Sequence, residues 1–232
     1  MLYHETPFAG DKKVGTSILG SLEKKCIVAF APKVPHWIET YHLTYLTIPI
    51  SLCLVLFGFF AQWNISWLWG SSIMIALQWV TDSLDGAVGR LRNTGLIRWG
   101  YYMDHFLDYI FLCSILIGYS FIIPNGHFLY LLFFVLAVFG AFMVNSYLQF
   151  AATNEFKISY LGIGPTEVRL IFILINTLFI FFGKTYLAFS LPYILLFSLL
   201  GLILVVGKTG KYIWNMDMEH KKNGYGRTAH DE

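Results

Sequence analysis

Residues 82–108 read DSLDGAVGRLRNTGLIRWGYYMDHFLD, and this stretch places four aspartates between two long apolar runs. Asp82 and Asp85 are three residues apart and share a face of a helix, while Asp104 and Asp108, four apart, share a face of the next. Four carboxylates in one pocket repel one another unless a cation neutralises them. Carboxylate oxygens favour a hard ion, so the stretch predicts a site for Mg²⁺ or Mn²⁺.

The composition is that of a helical membrane protein. Of 232 residues, 56% are hydrophobic and only 13% are charged, and the mean hydropathy is +0.60, which excludes an ordinary soluble domain. The chain has apolar runs that are each near the ~20 residues needed to cross a bilayer as a helix. We therefore predict an all-α integral membrane fold with six transmembrane helices. The predicted spans are residues 43–60, 67–90, 100–123, 128–150, 168–182 and 186–206.

Basic residues set the predicted orientation, because the cytoplasmic loops of membrane proteins are enriched in Lys and Arg. The chain has 16 such residues, and under the six-span arrangement only Lys184 falls on the side opposite to the others. Both termini and the aspartates are therefore predicted to be cytoplasmic. The predicted organisation is a cytoplasmic segment over residues 1–38, a transmembrane domain with the aspartates over 39–207, and a cytoplasmic polar tail over 208–232.

Residues 15–30 alternate apolar side chains with Lys24 and Lys25, a pattern typical of an amphipathic helix on the membrane surface. A loosely ordered N-terminal tail is the alternative, and the sequence does not separate the two. Pro32 and Pro35 end this segment in either case. The predicted turns between spans contain Asn93, Thr94, Gly95, Pro124, Asn125 and Gly126.

Gly86, Gly89 and Arg90 follow the first aspartate pair on the same predicted helix. Glycine lowers helix stability, so two glycines so close together indicate that another group approaches the backbone. A nucleotide lying against that backbone is one interpretation, and close packing of a neighbouring helix is the other. Arg90 offers a cation to a phosphate, or anchors the helix end at the membrane interface.

The whole pattern, Asp82-x2-Asp85-Gly86-x2-Gly89-Arg90-x9-Gly100-x3-Asp104-x3-Asp108, resembles the signature of the CDP-alcohol phosphotransferase family, membrane enzymes of phospholipid synthesis. The six-span layout extends the likeness over most of the chain. Two departures stand out: Gly89 replaces an alanine of the family pattern, and the interval between Arg90 and Gly100 is one residue longer. The first exchanges small residues, and the second falls in the turn, where it bears on how the cytidine is held.

The resemblance implies transfer of a substituted phosphate from a CDP-alcohol to an acceptor hydroxyl, with release of CMP. Asp82, Asp85 and Asp104 would hold two Mg²⁺ or Mn²⁺ ions, and Asp108 would share one ion and act as general base. Two divalent ions about 4 Å apart stabilise the attacking and leaving oxygens of phosphoryl transfer. The likeness also implies a homodimer with membrane lipids as partners and no nucleic acid. The CDP moiety would contact Gly86, Gly89, Arg90 and Thr44.

Thr166, Glu167 and Arg169 begin the fifth predicted span on the side of the aspartates. They are candidates for binding the head group or the phosphate of the acceptor. Ordinary helix-start chemistry is the alternative, because Thr and Glu suit a first helical turn and Arg suits the interface.

Two other functions compete with the enzyme. An ion-coupled transporter would use intramembrane acids as a relay, but transport sites lie near the midplane on broken helices, whereas these acids lie near one face on consecutive helices. A catalytically inactive relative is disfavoured because all four aspartates are present. The substrates stay open between CDP-diacylglycerol with a small polar alcohol and CDP-choline or CDP-ethanolamine with diacylglycerol.

Overall fold

The computed structural model describes residues 12–14, 18–93, 96–124, 126–157, 159 and 162–228. The predicted turn residues Thr94, Gly95 and Asn125 lie outside the described residues. So do residues 1–11 and 15–17 of the predicted N-terminal segment and residues 229–232 of the predicted tail.

The described chain is built from α-helices, with a short parallel pairing of two strands, β1 (Lys12–Val14) and β2 (Glu155–Lys157). Single 3₁₀ turns at Ala31–Lys33 and Ile65–Trp67 precede longer helical segments. The helices are α1 (Gly20–Phe30), α2 (Thr40–Tyr45), α3 (Thr47–Phe60), α4 (Leu68–Arg92), α5 (Ile97–Ser120), α6 (His127–Thr153), α7 (Pro165–Phe182) and α8 (Lys184–Thr228).

Four helical segments within the described residues are long and apolar enough to cross a membrane. They are Thr40–Phe60, His127–Thr153, Pro165–Phe182 and Ala188–Lys222. The helices α4 and α5, of 25 and 24 residues, coincide with the second and third predicted spans but carry the aspartates. The helical membrane character of the chain is thus supported, and the complete six-span topology stays a prediction.

Local sequence explains the helix ends. The first predicted span is divided into α2 and α3 because Pro49, near the start of α3, cannot donate a backbone hydrogen bond to the carbonyl four residues earlier. Gly183, with φ +82°, separates α7 from α8, because glycine adopts this left-handed conformation without strain. The last helix then continues to Thr228, so the described part of the predicted polar tail is helical rather than irregular.

The helix pairs α3–α5, α3–α4, α4–α7 and α6–α8 form the main packing contacts. Where α3 crosses α5, a side chain at Gly58 would overlap the backbone of Gly118, so this crossing requires glycine. At the same end of the molecule, Tyr119 Oη donates to Asn176 Oδ1 (2.8 Å) and Asn176 Nδ2 donates to Ser72 Oγ (3.1 Å). This uncharged network joins α5, α7 and α4.

Candidate active site

The two aspartate pairs lie at adjoining ends of consecutive helices. Asp82 and Asp85 belong to the C-terminal half of α4, and Asp104 and Asp108 belong to the N-terminal half of α5. At the end of α4, Asn93 adopts the left-handed conformation with φ 51°, which terminates the helix and starts the reversal toward α5. The turn therefore brings both pairs to one end of the helix bundle.

Arg169, on the first turns of α7, lies between the two pairs. Its Nη2 atom is 2.9 Å from Asp82 Oδ2 and 3.3 Å from Asp108 Oδ1, and its side chain is 7% exposed. Asp104 also contributes to the electrostatic environment of this guanidinium. A buried cation beside three carboxylates lowers their mutual repulsion, so Arg169 is the internal counter-charge of the cluster.

Thr44 connects the remaining aspartate to α2. Its hydroxyl donates to Asp85 Oδ2, and both residues are buried. The same hydroxyl lies 3.1 Å from the carbonyl oxygen of Thr40, one turn earlier in α2. The structure therefore places Thr44 against an aspartate of the cluster, and its predicted contact with the CDP moiety stays a prediction.

Arg90 folds back over Gly86 on the exposed side of α4. A Cβ atom added to Gly86 would lie 3.3 Å from Arg90 Nη1, a close contact that the glycine relieves. Both residues are exposed; Gly86 follows Asp85 directly, and Arg90 lies just over one turn further along α4. Gly89 lies between them, and its carbonyl accepts the N–H of Asn93 at the end of α4. This bare, cationic surface next to the acids is where the sequence predicts the CDP moiety.

Gln78 is a site residue that sequence reasoning missed. It lies one turn before Asp82 on α4, is 1% exposed, and its Nε2 atom donates to Asp108 Oδ1 at 3.2 Å. Its Oε1 atom is buried and has no hydrogen-bond partner among the described residues. The available signal was a glutamine in an apolar run, four residues before Asp82 and hence on the same helix face.

Thr166 and Glu167 are engaged with the N-terminal region. Glu167 accepts the backbone N–H groups of Gly164 (2.8 Å) and Leu19 (2.9 Å), so its carboxylate caps α7 and holds the start of α1. This is the helix-start chemistry considered as the alternative for Glu167, and its role in acceptor binding stays a prediction. Thr166 Oγ1 accepts from Trp79 Nε1 at 3.2 Å.

Glu23 is the second residue that the sequence did not single out. Its Oε2 accepts from Thr166 Oγ1 (2.7 Å) and its Oε1 from Ser83 Oγ (3.2 Å), so it joins α1 to α7 and α4. Residues 20–30 are therefore a helix docked beside the aspartates, and not a loose tail. The predicted location of this helix on a membrane surface stays a prediction.

The described residues include all four aspartates, yet no group of three or more His, Cys, Asp or Glu side chains among them is arranged to hold a metal ion. Arg169 lies between Asp82 and Asp108. His105 Nδ1 is 3.4 Å from Asp104 Oδ2, and its ring packs on Tyr101 with a centroid separation of 4.4 Å. His105 thus packs beside Asp104.

A family model described as CDP-alcohol phosphatidyltransferase matches residues 41–206. The chain belongs to this family. A search of curated proteins and a search of solved structures find no match.

The part matched by the CDP-alcohol phosphatidyltransferase model contains all four aspartates, Thr44, Gln78 and Arg169. The helix α1 (Gly20–Phe30) precedes it. The contacts of Glu23 with Ser83 and Thr166 therefore join a segment outside the family match to the family's own helices. Family membership points to an enzyme of phospholipid synthesis, because transfer of a substituted phosphate is what the family name describes.

Proposed function

We propose that this protein transfers a substituted phosphate group from a CDP-alcohol to the hydroxyl of an acceptor alcohol and releases CMP. The observation that carries the proposal is the convergence of Asp82 and Asp108, from two different helices, on a single nitrogen of Arg169. Two aspartates of the family pattern thus meet at one end of the helix bundle, and the exposed Gly86 and Arg90 follow the first aspartate pair on α4.

The donor set is chemically suited to a hard divalent cation, although the described residues are not arranged around one in this structure. It consists of carboxylate oxygens, and one buried guanidinium does not balance the charge of four aspartates, so the cluster favours additional cations. Two Mg²⁺ or Mn²⁺ ions would be held by the four aspartates, Asp82, Asp85, Asp104 and Asp108. When bound, these cations supply charge neutralisation for the leaving CMP and acidify the acceptor hydroxyl.

Asp108 is the proposed general base. Gln78 Nε2 (3.2 Å) and Arg169 Nη2 (3.3 Å) both donate to its Oδ1 atom, which orients the carboxylate, so we assign the proton transfer to Oδ2. The acceptor loses its hydroxyl proton to this oxygen, and its own oxygen forms a bond to the β-phosphorus of the CDP-alcohol. The bond between that phosphorus and the bridging oxygen breaks, and the electron pair leaves with CMP.

Residues on two other helices would bind the donor. Arg90, exposed beside Gly86, would contact the diphosphate as a cation, and Gly86 and Gly89 would let the nucleotide approach the backbone. Thr44 orients Asp85 from α2 at the edge of the same space.

An ion-coupled transporter would draw on the same acids. Their position at the adjoining ends of α4 and α5, together with family membership, favours phosphotransfer. We further propose that the aspartates and both termini are cytoplasmic, and that the protein is a homodimer. The bias of Lys and Arg supports the orientation, and the family likeness supports the dimer.

The test is metal-dependent release of CMP by the purified protein in lipid bilayers. CDP-diacylglycerol, CDP-choline and CDP-ethanolamine would each be offered with a panel of acceptors, with Mg²⁺, with Mn²⁺ and with a chelator. We expect CMP release that the chelator abolishes, and a loss of about 10³-fold or more in Asp108→Asn, because general-base catalysis typically contributes 10²–10⁴-fold. Asp217→Asn, an exposed aspartate on α8, is the matched control and should keep full activity. Full activity in Asp108→Asn would contradict the assignment.

A further inference from the structure

Gln78 is buried next to the proposed base with one half of its amide bonded and the other half open. The Nε2 atom donates to Asp108 Oδ1 at 3.2 Å, whereas Oε1 has no partner among the described residues although the side chain is 1% exposed. An unsatisfied buried carbonyl is costly, and the large majority of buried polar groups in folded proteins have a hydrogen-bond partner.

The chemistry of Asp108 fixes which end of the amide is open. An ionised carboxylate has only acceptor sites, so it requires the NH₂ group of Gln78 and repels the carbonyl oxygen. The open atom is therefore an acceptor, and only a group with an O–H or N–H can satisfy it. Since both ends belong to one amide, this acceptor lies immediately beside the carboxylate that deprotonates the substrate.

Arg169 and Glu167, two of the residues that the sequence suggests for acceptor binding, already have protein partners. Arg169 contacts Asp82 and Asp108, and both carboxylate oxygens of Glu167 accept backbone N–H groups. The open carbonyl of Gln78 is thus a buried polar atom beside the base that a bound substrate can complete.

We propose that Gln78 Oε1 accepts a hydrogen bond from a second O–H or N–H group of the acceptor alcohol, adjacent to its reacting hydroxyl. This inference rests on the proposed function and names its acceptor class. Glycerol phosphate and inositol have a neighbouring hydroxyl, and serine has an ammonium group. Diacylglycerol has one hydroxyl and otherwise only ester acceptors, and therefore leaves Oε1 unsatisfied. The acceptor is a small polar alcohol, and the matching donor is CDP-diacylglycerol.

The experiment compares each polar acceptor with an analogue that lacks only the second donor. Suitable pairs are glycerol 3-phosphate with 3-hydroxypropyl phosphate, and serine with 3-hydroxypropionate. We expect wild-type kcat/KM to favour the complete acceptor of one pair by about tenfold or more, because a site that hydrogen-bonds a substrate group rejects the analogue lacking it. Gln78→Met, which keeps the size of the side chain, should reduce that preference to within about twofold.

The ratio between the two acceptors separates recognition from a structural effect. Loss of the Asp108 contact in Gln78→Met lowers the rate for both members of a pair, and so leaves the ratio unchanged unless Oε1 contacts the second donor. Gln149→Met, which replaces a glutamine that is 5% exposed on α6, is the matched control and should keep the wild-type preference. Calorimetric binding of each acceptor to the wild type and to Gln78→Met tests the same preference without turnover.

Two outcomes overturn the inference while leaving the proposed function standing. One is CMP release with diacylglycerol as the acceptor and with none of the polar alcohols. The other is a wild-type preference that Gln78→Met retains. Absence of CMP release with every donor and acceptor contradicts the proposed function itself. If, in addition, the complete acceptors bind no more tightly than their analogues, the inference about Gln78 is also refuted.

Discussion

Replacing Arg169 with glutamine removes the cation that lies between Asp82 and Asp108 and leaves both carboxylates in place. The guanidinium is 7% exposed and contacts both of them through one nitrogen, at 2.9 Å and 3.3 Å. We expect the Arg169→Gln variant to be markedly less stable in the presence of a chelator, because the aspartates then repel one another without an internal counter-charge.

The magnitude follows from the burial of each partner. Breaking a fully buried ion pair by removing one partner costs about 3–5 kcal/mol. Asp82 and Asp108 keep 19% and 28% of their side-chain surface exposed, so water recovers part of that loss and about 2–3 kcal/mol is the expected cost. For a chain of this size, that loss corresponds to a fall of about 4–12 °C in unfolding temperature.

The assay is thermal unfolding of the purified protein in detergent micelles, first with a chelator and then with Mg²⁺. Mg²⁺ should restore part of the lost stability of Arg169→Gln, because it neutralises the same carboxylates. Adding Asp82→Asn to Arg169→Gln should also restore stability, because it removes one of the repelling charges. Arg169→Lys should lose less than Arg169→Gln, since a single nitrogen makes both contacts.

Arg92→Gln provides the matched control. Arg92 donates to the backbone carbonyl oxygens of Val34, Pro35 and Ile38, so its loss destabilises the loop before α2 without changing the charge of the cluster. Neither Mg²⁺ nor an added Asp82→Asn substitution should raise the unfolding temperature of Arg92→Gln more than it raises that of the wild type. The reasoning is refuted if Arg169→Gln unfolds within 1 °C of the wild type in the chelator, or if Asp82→Asn destabilises it further.

Two other predictions concern the edges of the site. Thr44→Val keeps the shape of the side chain but removes the hydrogen-bond donor to buried Asp85. We expect about tenfold lower kcat/KM for the CDP-alcohol, and an unchanged kcat/KM would show that the hydroxyl is dispensable. Glu23→Gln weakens the hydrogen bonds that hold α1 against α4 and α7. We expect about tenfold faster amide hydrogen exchange over residues 20–30, measured by mass spectrometry, with Glu219→Gln on α8 as the control. Equal exchange in the two variants would contradict the docking of α1.

The sequence predicted the helices well because apolar length and breakers are local properties. Each predicted span has a helix at its position, and the Asp82 to Asp108 stretch forms two helices joined where Asn93 suggested a turn. The break before Pro49 and the continuation of α8 were not predicted. The break depends on a single missing backbone N–H at Pro49. The extension of α8 leaves no apolar pattern to detect, because the helix continues into polar sequence.

The contacts of the site were less predictable because they join residues far apart in the chain. Arg169 was expected near the acceptor, yet which carboxylates it contacts depends on how α7 packs on α4, and helix periodicity does not specify that packing. Gln78 and Glu23 share this difficulty. Each is an ordinary polar residue within its own helix, and each acquires its role only from a partner on another helix.

The two ends of the helix bundle are held together by different kinds of contact. At the end away from the aspartates, the contact of Gly58 with Gly118 and the uncharged bonds of Asn176 hold α3, α4, α5 and α7 together without burying a charge. At the other end, the same helices bring aspartates and Arg169 together at a considerable electrostatic cost. Because the uncharged end fixes how the helices pack, the charged end does not have to stabilise the fold by itself. The helices therefore hold like charges and an open carbonyl at Gln78 in an arrangement that bound cations and substrate would complete.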